Sequence, residues 1–278
     1  GLALLEALGL ETPARLFVRG SAEALSGDAA TLPGDKVVVK IISPDILHKT
    51  EVGGVAIVDN EGGAIVAAIK EMEGRLGTAG MASAAGAAGP TAGAVHQDGN
   101  RRPRVEGFTI NEFVDHEPAL GHELIVGYRF ARDFGPVVSF GPGGIFAEHL
   151  AATFREGAAT AFFSPATADR DLVARELSRN AVRALAAGGL RGTRPATSDE
   201  AILDVVMAFL EAAPALAAAG VTEFEVNPFV IPSRPLARRG TGGAGGSGGG
   251  AGGAAPRRQG GDAGRDRLVA LDVLVKLG

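Results

Sequence analysis

A chain of 278 residues with 27 basic and 32 acidic side chains carries a formal charge of −5 and offers no electrostatic case for a nucleic-acid partner. A local cluster of cations would still hold a nucleotide. Cysteine is absent, which excludes disulfides, Cys-ligated zinc and thiol nucleophiles; the length suffices for one large domain or two lobes with buried cores.

No apolar run is expected to approach the ~20 residues of a membrane span, so no membrane partner is expected. The absence of cysteine fits a reducing compartment, and the cytoplasm is the expected one. The start, Gly1-Leu2-Ala3-Leu4, has neither an initiator Met nor a basic n-region. It reads as the cut end of a longer or processed chain, not as a signal peptide.

In chain order, Leu2, Leu4, Leu5 and Leu8 suit a short helix ended by Gly9, followed by a strand over 15–18 and a helix-compatible stretch over 22–25. Residues 37–42, VVVKII, are β-branched and nearly unbroken, as expected of a central strand covered on both faces. A polar loop over 43–51 and the pair Gly53-Gly54 lead into a strand over 55–58. Residues 61–76 read as an amphipathic helix, with Ile65, Ile69, Met72 and Leu76 at helical spacing. The Gly/Ala-rich stretch 77–104 is expected to be a mobile surface loop. Strands are expected at 108–114, 123–130, 137–140, 221–231 and 268–275, and helices at 169–187 and 199–218. The glycine-rich stretch 240–264 has nothing apolar to bury and reads as a disordered insertion. The alternation without a regular repeat predicts an α/β (α+β) chain of two lobes, 1–110 and 111–278.

Three constellations carry chemistry. In the first, Lys40 lies on the apolar strand and Lys49 in the glycine-bearing loop after it, two of only five lysines in the chain. A lysine there is costly unless a counter-charge meets it, and two cations beside Gly53 and Gly54 could hold a polyphosphate. The competing reading is that Lys40 snorkels from a strand end and Lys49 is solvated.

In the second, alternation puts Glu223, Glu225 and Asn227 on one strand face and Phe224 and Val226 on the other. Oxygen-bearing side chains in a row suit Mg2+ together with phosphate oxygens, and Asp272, inside an apolar strand, would be relieved by a metal or a cation. A solvated polar face with a capping Asp fits the same residues. In the third, Gly141-Pro142-Gly143-Gly144 follows a strand, which permits close backbone approach and positive φ but lacks dinucleotide spacing. A tight turn explains it equally well.

The segments VVVKIISPDILHKTEVGGV, ELIVGYRFARDFGPVVSFGPGGIFAE, LRGTRP and EFEVNPFVI, with the later ALD, together resemble the ATP-grasp domain of ADP-forming acyl-CoA (acetate-CoA) synthetases, relatives of the succinyl-CoA synthetase β subunit. The resemblance implies an ATP-grasp fold, two lobes with a nucleotide cleft between them, and ATP/ADP with Mg2+ as cofactors. It implies that Lys40 holds phosphate and that the 43–54 loop, with Lys49, Gly53 and Gly54, closes over it. The segment 111–114, including Glu112, Phe113 and Val114, would meet adenine through its backbone, with Glu123 near the ribose. Asn227 and Asp272 match the two metal ligands. Glu225 falls where an acid faces the incoming phosphohistidine, and His48 matches a histidine that carries phosphate transiently.

The implied reaction is acyl-CoA + ADP + phosphate ⇌ carboxylic acid + CoA + ATP. No CoA-binding motif and no α-type histidine segment is recognised, so an α subunit or fused CoA-binding domains would meet the CoA thioester and the acid, in a hetero-oligomer. The alternative is a non-catalytic nucleotide-sensing module. Departures from the family pattern are Glu51 and Glu225 for Asp, Ala152 where an Asp usually follows GGIFAE, and Thr197 near another expected Asp.

Overall fold

The structure, a computed structural model, describes residues 1–26, 32–46, 49–82, 103–144, 147, 153–155, 157–189, 194–234, 236 and 267–278. The chain divides into a smaller unit, Pro13–Phe113, and a larger one, Gly1–Thr12 with Val114–Gly278.

In the smaller unit four antiparallel strands, β1 (Arg15–Val18), β2 (Lys36–Ile42), β3 (Val55–Asp59) and β4 (Gly107–Glu112), lie in the order β1-β4-β2-β3. The helices α2 (Ser21–Ser26) and α3 (Gly62–Ala82) belong to the same unit. Ile65, Ile69 and Met72, one helical stripe of α3, join Val37, Val39 and Ile41 of β2 in a single core. β2 is central, as its composition predicts, but it is not covered on both faces. Val37, Val39 and Ile41 are fully buried, whereas Val38, Lys40 and Ile42 alternate with them and are half-buried. An antiparallel sheet with helices on one side produces that alternation. Residues 77–82, expected in a loop, continue α3; residues 83–102 and the 240–264 stretch lie outside the described residues.

In the larger unit β5 (Glu123–Ala131), β6 (Gly135–Pro142), β7 (Ala161–Phe163), β8 (Val221–Val230), β9 (Val269–Ala270) and β10 (Val273–Leu277) form one antiparallel sheet, ordered β10-β8-β5-β6-β7 with β9 also on β8. The strand expected over 268–275 is thus two strands broken at Leu271 and Asp272. The helix expected over 169–187 is likewise two, α4 (Arg170–Leu177) and α5 (Ala181–Ala186). Asn180 separates them: its Oδ1 accepts from the N–H groups of Val182 and Arg183, so it starts a helix instead of continuing one.

The helix α6 (Asp199–Ala218) is capped by Ser198, whose hydroxyl accepts from Ala201 N–H, and carries two acids in its first turn. With 20 residues and a mean hydropathy of 1.8 it is long and apolar enough to cross a membrane, contrary to the expectation that no run approaches that length. Its apolar residues have another use. Phe209 stacks on Phe224 of β8 at 5.1 Å and meets Phe229 edge-on at 6.3 Å, in a core that includes Val206, Leu210 and Ala213.

Residues 1–12, grouped by sequence with the N-terminal lobe, pack with the larger unit. Leu5 of α1 (Leu2–Ala7) is fully buried in the core with Leu124 and Phe229, and Ala270 N–H donates to the Glu11 carbonyl at 2.9 Å.

Candidate functional site

On β8 the alternation holds. Phe224 and Val226 are fully buried, while Glu223, Glu225 and Asn227 point to the other, more open face. Asn227 N–H donates to the Asp272 carbonyl at 3.2 Å, and Leu271 N–H returns a bond to the carbonyl of Pro228 at 3.0 Å, so Asn227 and Asp272 stand on neighbouring chains of one ladder. The Asn227–Pro228 peptide is cis. Asp272 is not the isolated core carboxylate that its apolar neighbours suggest. It is half-buried in the break between β9 and β10, and its Oδ1 accepts from Val273 N–H at 3.0 Å.

The turn after β6 joins this pair. Gly143 N–H donates to the Glu123 carbonyl at 2.9 Å, and a Cβ on Gly143 would lie 2.5 Å from the carbonyl carbon of Leu124. Gly144 has φ +63, and a Cβ there would overlap the Glu123 carboxylate. Only glycine fits either position. The turn directs Gly144 N–H onto Asn227 Oδ1 at 2.9 Å. The glycine pair is a tight turn, as its composition allows, and one that fixes a candidate ligand.

Two protein oxygens are too few for a closed metal cage, and no group of three or more His, Cys, Asp or Glu able to hold a metal occurs among the described residues. Mg2+ bound to phosphates requires only one or two protein oxygens and keeps waters on the rest of its octahedron. The amide oxygen of Asn227 has a second lone pair beyond the one Gly144 uses, and the carboxylate of Asp272 is a hard anionic donor. The donor set fits Mg2+ carried on a polyphosphate.

Glu225 stands opposite Gly127 of β5, and a Cβ on that glycine would lie 3.1 Å from Ser139 Oγ and 3.7 Å from Glu225 Cγ. Burial, then the neighbouring Glu223, push the Glu225 carboxyl above the usual carboxylate range; Lys276 acts the other way, and its Nζ is 2.6 Å from Glu223 Oε2. Glu123, at the start of β5, is largely buried. Its Oε1 lies 3.6 Å from His116 Nε2, and its Oε2 is buried with no partner among the described residues. No sequence pattern singled out His116, an isolated histidine in an irregular segment.

In the smaller unit Lys40 lies on the half-buried face of β2, between Thr109 of β4 and Val55 of β3. Lys40 is half-buried and not fully buried, so the desolvation argument for an anionic ligand is weaker than the sequence alone implies. Lys49 begins a tight turn: its carbonyl accepts from Gly54 N–H at 2.7 Å, and Gly53 N–H reaches the Thr50 carbonyl at 3.1 Å. Gly53 has φ +66 with the Arg75 guanidinium where a Cβ would project, and a Cβ on Gly54 would lie 2.5 Å from Ile41 Cγ2. Glu112 is buried and committed to its own unit, its N–H donating to the Ala14 carbonyl at 2.8 Å and its Oε2 accepting from Ala14 N–H at 3.1 Å. The two units meet in sequence between Phe113 and Val114, and Val114 packs with Val230 and Val269. His48 and Ala152 lie outside the described residues. Thr197 is buried, and its hydroxyl has no partner among them.

A family profile describing an ATP-grasp domain matches residues 1–88 and 91–236. The chain is 32% identical over 211 residues to acetate–CoA ligase [ADP-forming] I of Archaeoglobus fulgidus, covering 74% of this chain and 25% of that protein. It thus spans about a quarter of that relative's length. It is 29% identical over 230 residues to the β subunit of acetate–CoA ligase [ADP-forming] I of Pyrococcus furiosus, covering 81% of each. Among solved structures it resembles dinucleotide-forming acetyl-coenzyme A synthetase 1 of Ca. Korarchaeum cryptofilum, in complex with coenzyme A, Ca-AMPCP and HgCl+. The TM-score is 0.65 at 19% identity, over 100% of this chain and 90% of that one.

Proposed function

The chain belongs to the ATP-grasp domain family, and from that premise we propose that it is the nucleotide-binding half of an ADP-forming acyl-CoA synthetase. The observation that carries the reading is the grouping of Asn227, Asp272 and the Gly143-Gly144 turn, which presents two hard oxygens and suits a metal carried on phosphate. Relatives of both lengths, a long single chain and a separate β subunit, are ADP-forming ligases, which favours a ligase over a nucleotide-sensing module.

In this reading Asn227 and Asp272 hold Mg2+, which when bound neutralises charge on the phosphate oxygens. Lys40 and Lys49 attract phosphate oxygens, the turn closed by the Gly53 and Gly54 N–H groups shapes the loop that carries Lys49, and the backbone from Glu112 through Phe113 to Val114 meets adenine. In the direction of ATP formation, a terminal oxygen of ADP attacks phosphorus, the P–N bond of a phosphohistidine breaks, and the imidazole recovers its electron pair. The protein's task is positioning and charge neutralisation, since such transfers need little covalent help.

Glu225 faces the arriving histidine. With its carboxyl held above the ordinary range it can accept or share the ring proton of that histidine. His48 is assigned the transient phosphate on the resemblance alone. The acyl phosphate and CoA chemistry fall to an α subunit or fused CoA-binding domains, and the complete reaction is acyl-CoA + ADP + phosphate ⇌ acid + CoA + ATP.

Calorimetric titration with ADP, with and without Mg2+, tests this. Asn227→Ala and Asp272→Ala are each expected to remove most of the metal-dependent part of the affinity. Undiminished Mg-ADP binding by the double variant would refute the metal assignment. With the α half present, His48→Asn should abolish ATP formation yet leave ATP binding nearly unchanged; turnover near wild type would remove His48 from the mechanism.

A further inference from the structure

We propose that His116 is a positioning residue of the nucleotide site, an imidazolium that holds the Glu123 carboxylate on one side and the carbonyl of Val114 on the other; this rests on the nucleotide-binding reading above. His116 Nδ1 lies 2.9 Å from the Val114 carbonyl oxygen. A carbonyl oxygen can only accept, so Nδ1 carries a proton. The other ring nitrogen, Nε2, faces Glu123 Oε1 at 3.6 Å, an ion-pair separation slightly longer than a hydrogen bond. A neutral ring with its proton on Nδ1 would turn a lone pair toward that carboxylate, and the contact would be repulsive. A second proton, on Nε2, makes it attractive.

Burial sharpens the choice. The side chains of His116 and Glu123 are only 19% and 12% exposed, so water screens their interaction weakly. Glu123 Oε2 has no partner among the described residues, which leaves the imidazolium as the group that offsets desolvation of this carboxylate. The other charged groups near His116 in the chain are Asp115 and Glu117 on either side of it. Across the isolated bridge that pairs His116 with Pro232, Arg234 follows two residues on.

The consequence reaches the metal ligands. The Glu123 carboxylate occupies the space that a side chain at 144 would take, so where His116 holds it fixes where Gly144 rests. Gly144 N–H in turn meets Asn227 Oδ1. A contiguous path therefore joins Val114, at the unit boundary, to Asn227 through His116, Glu123 and Gly144, all within the larger unit.

Nitrogen-15 NMR of the full chain at neutral pH is expected to show both ring nitrogens of His116 protonated, and only one protonated in Glu123→Gln. A merely space-filling histidine would give no such difference. His116→Gln keeps a donor but no charge, and is expected to bind Mg-ADP about tenfold more weakly, the scale of one lost charge-assisted contact. A singly protonated ring in the wild type, or equal Mg-ADP affinity of wild type and His116→Gln, overturns the inference. Failure of the wild type to bind Mg-ADP, with a doubly protonated ring, refutes the nucleotide reading and with it the positioning role; binding with a neutral ring refutes the inference alone.

Discussion

Tyr128→Phe should stabilise the larger unit. Tyr128 is 1% exposed in the middle of β5, and its hydroxyl is buried with no partner among the described residues; burial correspondingly pushes the phenol pKa up. A buried hydroxyl that makes no hydrogen bond costs about 1–3 kcal/mol. Removing the oxygen leaves a void of roughly 10–15 Å³, which at about 24 cal/mol per Å³ costs ~0.3 kcal/mol. The expected net gain is about 1–2 kcal/mol, or a rise of roughly 2–8 °C in melting temperature for a unit of this size. Scanning calorimetry with urea unfolding would measure it; because two units can unfold separately, the shift should appear in the transition that includes the larger sheet. A loss of about 1 kcal/mol or more in the variant would mean that the hydroxyl is bonded, to a buried water or a neighbour, and would refute the reasoning.

Asn180→Ala removes three side-chain hydrogen bonds at once, to Val182, Arg183 and the Ala159 carbonyl, and should destabilise by about 1–3 kcal/mol in urea unfolding. Gly144→Ala forces a side chain into positive φ at a cost of about 1–2 kcal/mol and displaces Glu123, so both melting temperature and Mg-ADP affinity should fall. Glu225 has its folded-state carboxyl pushed up, so the folded chain holds the proton more firmly than the unfolded one. Its contribution to stability is therefore present in acid and is lost as pH rises through the folded value. Glu225→Gln should raise the melting temperature at neutral pH and lose that advantage in acid; a gain independent of pH would contradict the sign.

The sequence made the strands legible where composition and alternation agree, and failed where a single polar residue redirects the chain. Phe224 and Val226 against Glu223, Glu225 and Asn227 could be read from period two alone. Asn180 could not be weighed against the apolar periodicity around it, because whether an Asn caps or merely tolerates a helix depends on the backbone it meets. The continuous β-branched run of β2 implied burial on both faces, yet its alternation in the structure follows from which side the helices cover, a tertiary fact. Asn227 and Asp272 were found as a motif 45 residues apart in sequence, with the glycine-rich stretch between them. His116 has no motif: its significance depends on two acceptors, one of them seven residues away on another element, converging on its ring.

The allegiance of residues 1–12 has a consequence for the order of events during synthesis. The smaller unit is an insertion, left and re-entered through neighbouring strands, since β1 and β4 pair and Glu112 bonds back to Ala14. Its core is complete once synthesis has passed Phe113, whereas Leu5 must wait for Leu124 and Phe229, its partners in the larger core. On the ribosome the inserted unit can therefore mature before α1 finds its place in the larger core. Joining Thr12 directly to Val114 by a short linker should leave a sequence whose larger sheet still closes, with fewer long-range contacts to await.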